Sequence, residues 1–143
     1  MPTITRALRV RESADASYAR WRDPDEVTRF SAGIEAFSRV DENTVRARLR
    51  GPIGPPMEVR LALTKHEPGR LMVWKATNTP FPAIFAVRFE PLADADDENR
   101  VTLQLTLDPP GGPFVARAVE GFTVRLVEET LRRFKAHAEA ESN

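Results

Sequence analysis

Residues 114–139, FVARAVEGFTVRLVEETLRRFKAHAE, are the stretch from which the rest of the fold can be worked out. Its apolar residues recur every three or four positions, which is the spacing of one face of an α-helix. A first apolar stripe consists of Val115, Val119, Phe122 and Leu126, and a second consists of Val127, Leu131, Phe134 and Ala138. Prolines and glycines at 110–113 come just before it, and proline is tolerated in the first turn of a helix. The pattern predicts one long C-terminal helix.

The two apolar stripes do not share one face of this helix. Each residue of an α-helix advances by about 100°, so the second stripe is rotated by about a third of a turn from the first. Gly121 lies near the change, and glycine inside a helix costs about 1 kcal/mol relative to alanine. Two explanations stay open: the helix kinks near Gly121, or its two halves contact different parts of the protein.

The middle of the chain has a period of two, which is typical of β-strands. Apolar and polar residues alternate in six segments between positions 34 and 107, and more loosely over positions 3–10. Between the first strand and the others, Ser13 and Asp23 are suitable N-caps for short helices over residues 14–22 and 25–30. Clean alternation indicates an antiparallel sheet with one buried face. The predicted order is therefore one strand, two short helices, six strands and the long helix.

The loops differ in composition between the two ends of such a sheet. If each strand pairs with the next, residues 41–43, 67–69 and 93–99 lie at one end and are typical of polar hairpin turns. The other end holds residues 51–56, 78–82 and 108–113, with eight of the chain's twelve prolines. Ile53 and Phe81 are apolar residues of these loops. Either they surround an opening, or they close the end of the sheet against the helix.

Composition limits the classes of function. A chain of 143 residues is long enough for a substantial core, and we expect residues 1–143 to form a single domain. Lys plus Arg and Asp plus Glu number 21 each, so no net charge attracts nucleic acid. The absence of cysteine excludes disulfides and thiol catalysis and fits a reducing cytoplasm. We expect neither a signal peptide nor a membrane span, which needs about 20 apolar residues.

Motifs for catalysis, metals and phosphate are missing from the sequence. The only histidines are His66 and His137, and the acidic run at 94–98 lacks the spacing of a calcium loop. The loop at 51–56 lacks the Lys-Ser/Thr that follows a phosphate-binding loop. We therefore predict no metal and no cofactor.

Short motifs in order along nearly the whole chain resemble one family. They are ADASYARWRDP (14–24), RF (29–30), GIE (33–35), GR (69–70), WK (74–75), VRFEP (87–91), RVTL (100–103) and LRRFK (131–135). Together they resemble the START-like, or helix-grip (SRPBCC), superfamily and, within it, the polyketide cyclase/dehydrase branch. The resemblance implies an α+β helix-grip fold, in which a curved seven-stranded antiparallel sheet (β-α-α-β6-α) wraps around the long C-terminal helix.

The resemblance also implies an apolar cavity between the sheet and the helix, since members bind lipids, sterols, polyketides or plant hormones. Pockets of this kind are mostly apolar with a few placed polar groups. We predict the following ligand-binding residues: Trp74, Phe85, Val87, Phe89, Leu105 and Phe122 on the lining, and Asn78 at the mouth. Ordinary core packing is the alternative for each of them, because large aromatic residues inside a domain are usually core.

We therefore expect a protein that binds a small hydrophobic molecule, lipid-like or polyketide-like. One alternative is a polyketide cyclase or aromatase that uses acid–base chemistry in the same cavity, and another is a co-chaperone-like interaction module. No catalytic residue can be assigned; Tyr18 is one candidate, and Arg88 or Glu90 would be others if the strand facing were reversed. We expect a cytoplasmic protein with no nucleic-acid partner and no stable membrane insertion, and a homodimer is left open.

Overall fold

The computed structural model describes residues 3–51 and 55–142, and its helices and strands follow the predicted order. The elements are β1 Thr3–Val10, α1 Ala14–Arg22, α2 Pro24–Phe30, β2 Ile34–Asp41, β3 Thr44–Leu49, β4 Met57–Glu67, β5 Leu71–Ala76, β6 Ala83–Leu92, β7 Ala95–Leu107 and α3 Gly112–Ser142. The long helix α3 packs against β1, β7 and α2. The α+β helix-grip architecture is confirmed.

The seven strands form one antiparallel sheet in the order β1-β7-β6-β5-β4-β3-β2. Strands β2 to β7 form the predicted meander, and β1 joins beside β7, with Ile4 opposite Leu105. The β2–β3 and β4–β5 ladders contain register shifts, one of them between Leu63 and Lys65. Such bulges bend a strand and increase its twist. They contribute to the curvature that lets the sheet wrap around α3.

The two short helices begin at the predicted caps. The side-chain hydroxyl of Ser13 accepts a hydrogen bond from the amide of Ala16 at 3.1 Å. A carboxylate oxygen of Asp23 accepts from the amide of Asp25 at 3.0 Å, and Pro24 lies in the first turn of α2. These bonds satisfy amide groups that have no partner within the helix. The helix α2 therefore begins one residue earlier than predicted.

One of the three predicted hairpin turns is wrong in its extent. The turns after β2 and β4 lie where they were expected, but the third comprises only residues 93 and 94 and β7 already begins at Ala95. Asn99, the last residue of the predicted turn, is fully buried, and its amide nitrogen donates to the carbonyl of Glu12 and to the hydroxyl of Ser17. These bonds hold Asn99 within the sheet, opposite Pro91.

The two halves of α3 lie in different surroundings. The helix continues without a break through Gly121. Its second stripe, Val127, Leu131, Phe134 and Ala138, is at most 2% exposed. The first stripe, Val115, Val119, Phe122 and Leu126, is only half-buried. Of the two explanations for the change of face, the structure therefore supports the one in which the halves contact different parts of the protein.

The solid part of the core lies around the C-terminal half of α3. Trp21, Phe30 and Phe134 pack against one another with ring centroids 4.8 to 5.4 Å apart. Separations of this size are those of favourable aromatic pairs. Burying one such side chain stabilises the fold by about 1.5–3 kcal/mol. This aromatic cluster anchors α1, α2 and α3 together and leaves the N-terminal half of α3 to cover the rest of the sheet.

Candidate functional site

A cavity of about 270 Å³ lies between the sheet and the middle of α3. Six strands, β2 to β7, contribute to its wall, and Val119, Phe122 and Leu126 of the first helix stripe face it. Several residues on the wall are small, among them Ala76 and Ala83. Side chains of this size cannot fill the space between a curved sheet and a helix. Val119, Phe122 and Leu126 are thus only half-buried because they border this void.

Four of the seven predicted ligand-binding residues come together at this cavity. Trp74, Phe85, Leu105 and Phe122 all line it. Trp74 and Phe85 are opposite one another on β5 and β6, and Leu105 is opposite Phe85 on β7. The period-two pattern therefore placed three neighbouring side chains on the correct face of the sheet.

The other three predicted residues do not line the cavity. Val87 and Phe89 point to the same face as Phe85 but are 0% and 1% exposed, within the solid core. The amide of Asn78 joins two strand ends, since its oxygen accepts from the Arg60 amide at 2.9 Å and its nitrogen donates to the Glu58 carbonyl. Asn78 therefore closes the β4–β5 ladder and does not face the void.

The proline-rich loops reach the cavity, as expected for residues around an opening. Thr79, Phe81 and Pro109 line it, together with Met57 at the start of β4, which is 50% exposed. Ile53, the other apolar loop residue considered above, lies outside the described residues. These side chains continue the apolar surface of the cavity toward the outside of the molecule.

The cavity wall contains almost no charge. Among the lining residues that the structure describes, the only ionisable one is Arg50. Its side chain is 67% exposed, and its Nε donates to a carboxylate oxygen of Glu35 at 2.8 Å. The other polar side chains on the described wall are the hydroxyl-bearing Ser31, Thr79 and Thr130. Such a site suits an apolar molecule with few hydrogen-bonding groups.

The catalytic candidates named from the sequence lie elsewhere. The ring of Tyr18 packs edge to face against Phe89, with centroids 5.8 Å apart, and its hydroxyl is 3.5 Å from Nδ1 of His66. Arg88 and Glu90 are exposed on the outer face of β6. None of the three lines the cavity, so its described wall holds no group placed for acid–base chemistry.

A second depression, of about 600 Å³, adjoins the cavity beside α3 and carries the charged residues Arg125, Glu128 and Arg132. Gly33 and Leu126 line both spaces. Gly33 has φ +78°, and a Cβ atom on it would lie 2.7 Å from Cδ1 of Leu126. Glycine adopts this backbone region without a steric cost, and its missing side chain lets α3 approach closely. The two residues thus form a thin partition between the apolar cavity and the charged depression.

Sequence reasoning missed the parts of the wall outside β5–β7. Trp21 from α1, Val27 from α2 and Phe37 from β2 line the cavity, as does residue Ser31 between α2 and β2. For α3 the sequence did indicate part of the wall. The stripe containing Val119 is rotated from the second stripe, which implied that the two stripes have different surroundings. The loop residues gave none, since their position depends on contacts far along the chain.

The fold and the apolar cavity define the helix-grip class of α+β proteins. A family model described as polyketide cyclase/dehydrase and lipid transport matches residues 1–139. The chain therefore belongs to this family, in agreement with the sequence motifs. Comparison with curated proteins finds no match.

Solved structures from three bacteria are similar in fold. A protein from Thermus thermophilus is 15% identical, with a TM-score of 0.81 and coverage of 99% of this chain and 100% of that one. The Zhui aromatase/cyclase from Streptomyces sp. R1128 is 15% identical, with a TM-score of 0.78 and coverage of 99% and 95%. A START superfamily protein from Mycobacterium smegmatis is 13% identical, with a TM-score of 0.76 and coverage of 97% and 98%. Identities this low establish a shared fold and nothing more. Within the described residues, no helix is long and apolar enough to span a membrane.

Proposed function

We propose that this protein binds a small hydrophobic molecule in the cavity between the sheet and α3. The observation that carries the proposal is the unfilled volume of about 270 Å³ with an almost uncharged wall. Protein interiors are normally packed as densely as organic crystals, so an unfilled volume of this size needs an explanation. Trp74, Phe85, Leu105 and Phe122 are the proposed contacts. Membership of a family described by lipid transport supports the same interpretation.

The volume limits the size of the ligand. At about 270 Å³ the cavity is small for a ligand pocket. Drug-sized ligands occupy pockets of about 300–1,000 Å³. A single short acyl or terpenoid-like molecule therefore fits within the cavity, whereas a longer chain would extend through the mouth past Phe81 and Met57.

Binding without chemistry is favoured over a cyclase activity. Acid–base catalysis needs a group within hydrogen-bonding reach of the proton that it moves. The only ionisable side chain on the described wall, Arg50, is mostly exposed and paired with Glu35. An interaction module is less well supported, because that function would require no unfilled volume. The absence of cysteine fits a carrier in the cytoplasm, and the net charge of zero fits one without nucleic-acid partners; residues 1–143 form its single domain.

The protein contains its own reporter for a binding test. Its two tryptophans, Trp21 and Trp74, both line the cavity. The purified protein is first analysed by native mass spectrometry before and after organic extraction, which detects any molecule that it carries. The extracted protein is then titrated with 2-octanone, which has nine non-hydrogen atoms. We expect a saturable change in tryptophan emission. The absence of both a released mass and a saturable change would contradict the proposal.

A further inference from the structure

The described wall of the cavity carries a polar patch where the end of α2 meets the middle of α3. Ser31 follows directly after α2, Thr130 lies on α3, and both line the cavity. They are 7% and 6% exposed, respectively. The amide of Ala32 donates to Oγ1 of Thr130 at 3.0 Å, which holds the segment containing Ser31 against the helix. The patch is therefore a defined part of the wall.

The hydroxyl groups of this patch have unused hydrogen-bonding capacity. Within residues 3–51 and 55–142, the Ser31 hydroxyl makes no hydrogen bond, and the Thr130 hydroxyl proton has no acceptor. The surrounding protein leaves part of the Ser31 oxygen accessible, whereas it fully covers the indole nitrogen of Trp21. A molecule in the cavity can therefore reach the hydroxyl of Ser31.

We infer that the ligand carries a neutral carbonyl oxygen, as in a ketone or an ester, which accepts hydrogen bonds from Ser31 and Thr130. This inference rests on the proposed binding function. Two hydroxyl donors on a wall that is otherwise mostly carbon would fix the orientation of an apolar molecule. A carboxylate does not fit, because a buried charge needs a countercharge, and Arg50 is exposed and already paired with Glu35. The alkyl part of the ligand then contacts the aromatic wall of Trp74 and Phe85.

A pair of isosteric probes tests the carbonyl. The probes are 2-octanone and 2-methyl-1-octene. They have the same carbon skeleton, except that a methylene group in the alkene replaces the carbonyl oxygen of the ketone. Ser31→Ala removes the hydroxyl without breaking a bond within the described structure. In this variant we expect 2-octanone to bind about three- to tenfold more weakly, the effect of one hydrogen bond. Binding of the alkene should change less than twofold.

Two control variants separate the hydroxyl from general effects of substitution. Ser31→Thr keeps a hydroxyl at the same position and should preserve the ratio of the two affinities, even where its extra methyl group lowers both. Ser38→Ala makes the same change at an exposed position of β2, outside the cavity, and should leave both affinities as in the wild type. Thermal unfolding of each variant shows whether it is folded.

A second measurement needs only the wild-type protein. Bound 2-octanone labelled with ¹³C at its carbonyl should resonate downfield of its position in cyclohexane, because a hydrogen bond deshields the carbonyl carbon. A resonance at the cyclohexane position would overturn the inference, as would an unchanged affinity ratio in Ser31→Ala. If either of these results is obtained while both probes still bind, the proposed function stands and only the inference about the carbonyl fails. If neither probe binds, the inference fails, and the proposed function fails with it when organic extraction also releases no mass.

Discussion

The rings of Phe30 and Phe134 lie edge to face, with centroids 4.9 Å apart and planes at 65°. Both side chains are fully buried, and their contact joins α2 to the C-terminal half of α3. Phe122, twelve residues earlier on the same helix, lines the cavity and is only half-buried. One helix therefore contributes a packed half that holds the fold and a second half that covers a void.

This division predicts different costs for the same substitution. Phe134→Ala should lower the free energy of unfolding by about 3–5 kcal/mol, as is usual for a buried phenylalanine in a packed core. Phe122→Ala should cost about 1 kcal/mol, because its ring already borders empty space and loses few contacts. Urea unfolding of the two variants measures the difference. Equal costs would mean that the space around Phe122 is packed as tightly as the core.

A second pair of variants tests the void with a larger side chain. Ala76→Leu places an isopropyl group in the cavity and should keep or raise stability while weakening 2-octanone binding at least about tenfold. Ala47, on β3, is 0% exposed and does not line the cavity. Ala47→Leu should therefore cost about 1–3 kcal/mol through overpacking. Thermal unfolding and tryptophan titration report the two effects, and a destabilised Ala76→Leu that still binds the ketone would refute this assignment.

The sequence pattern predicted strand facing well but could not separate cavity from core. Alternation correctly put Phe85, Val87 and Phe89 on the inner face and left Arg88 outside. Whether an inward side chain meets a void depends on what reaches it from the opposite layer. Phe89 meets the ring of Tyr18, whereas Phe85 lies beside the cavity. That difference comes from long-range packing, which no local period contains.

The polar residues were harder to predict for the same reason. Asn78 shares the strand face of Trp74 by position, but its amide hydrogen-bonds two backbone groups of β4. Ser31 lies in a connection without periodicity, and its place on the wall depends on Ala32 contacting Thr130, 98 residues away. Periodicity reports which face a residue occupies, and it carries no information on such distant hydrogen bonds.

Glu139 predicts a pH dependence of stability. Burial of its carboxylate raises the pKa, but hydrogen bonds from Lys135 and from the amide of Arg11 outweigh that effect and hold the pKa below its usual 4.5. A pKa that is lower in the folded state contributes stability above the unfolded value, and this contribution is lost as the pH falls through the folded value. The wild type should therefore be more stable than Glu139→Gln at pH 7, and the difference should shrink below pH 4.5.

Urea unfolding of both proteins across this pH range checks the prediction. Glu141→Gln is the matched control, because Glu141 is an exposed acidic residue of the same helical end and makes no ion pair within the described chain. Its difference from the wild type should stay near zero throughout. A stability difference for Glu139→Gln that does not shrink as the pH falls below 4.5 would rule out the carboxylate as its source.

A buried ion pair links the end of β1 to α1, away from the cavity. Nε of Arg20 donates to a carboxylate oxygen of Glu12 at 2.6 Å, and the side chains are 15% and 2% exposed. Arg20 also contacts Glu26 at 2.9 Å. Burial lowers the pKa of Arg20, but the hydrogen bond and charge of Glu12, helped by Glu26, raise it further than burial lowers it. The guanidinium therefore stays charged and neutralises two carboxylates at the junction of β1, α1 and α2.

Removing this cation should destabilise the fold without changing the cavity. Arg20→Met should lower the free energy of unfolding by about 3 kcal/mol, because the buried carboxylate of Glu12 loses its countercharge.

Arg22→Met is the control at the end of the same helix, where no ion pair is formed within the described residues, and it should cost less than about 0.5 kcal/mol. The double variant Glu12→Gln/Arg20→Met should recover part of the loss, since no buried charge then remains at position 12. Urea unfolding measures all three variants, and 2-octanone should bind to each as it does to the wild type, because neither arginine lines the cavity. A double variant no more stable than Arg20→Met would show that the loss comes from packing of the arginine side chain and not from its charge.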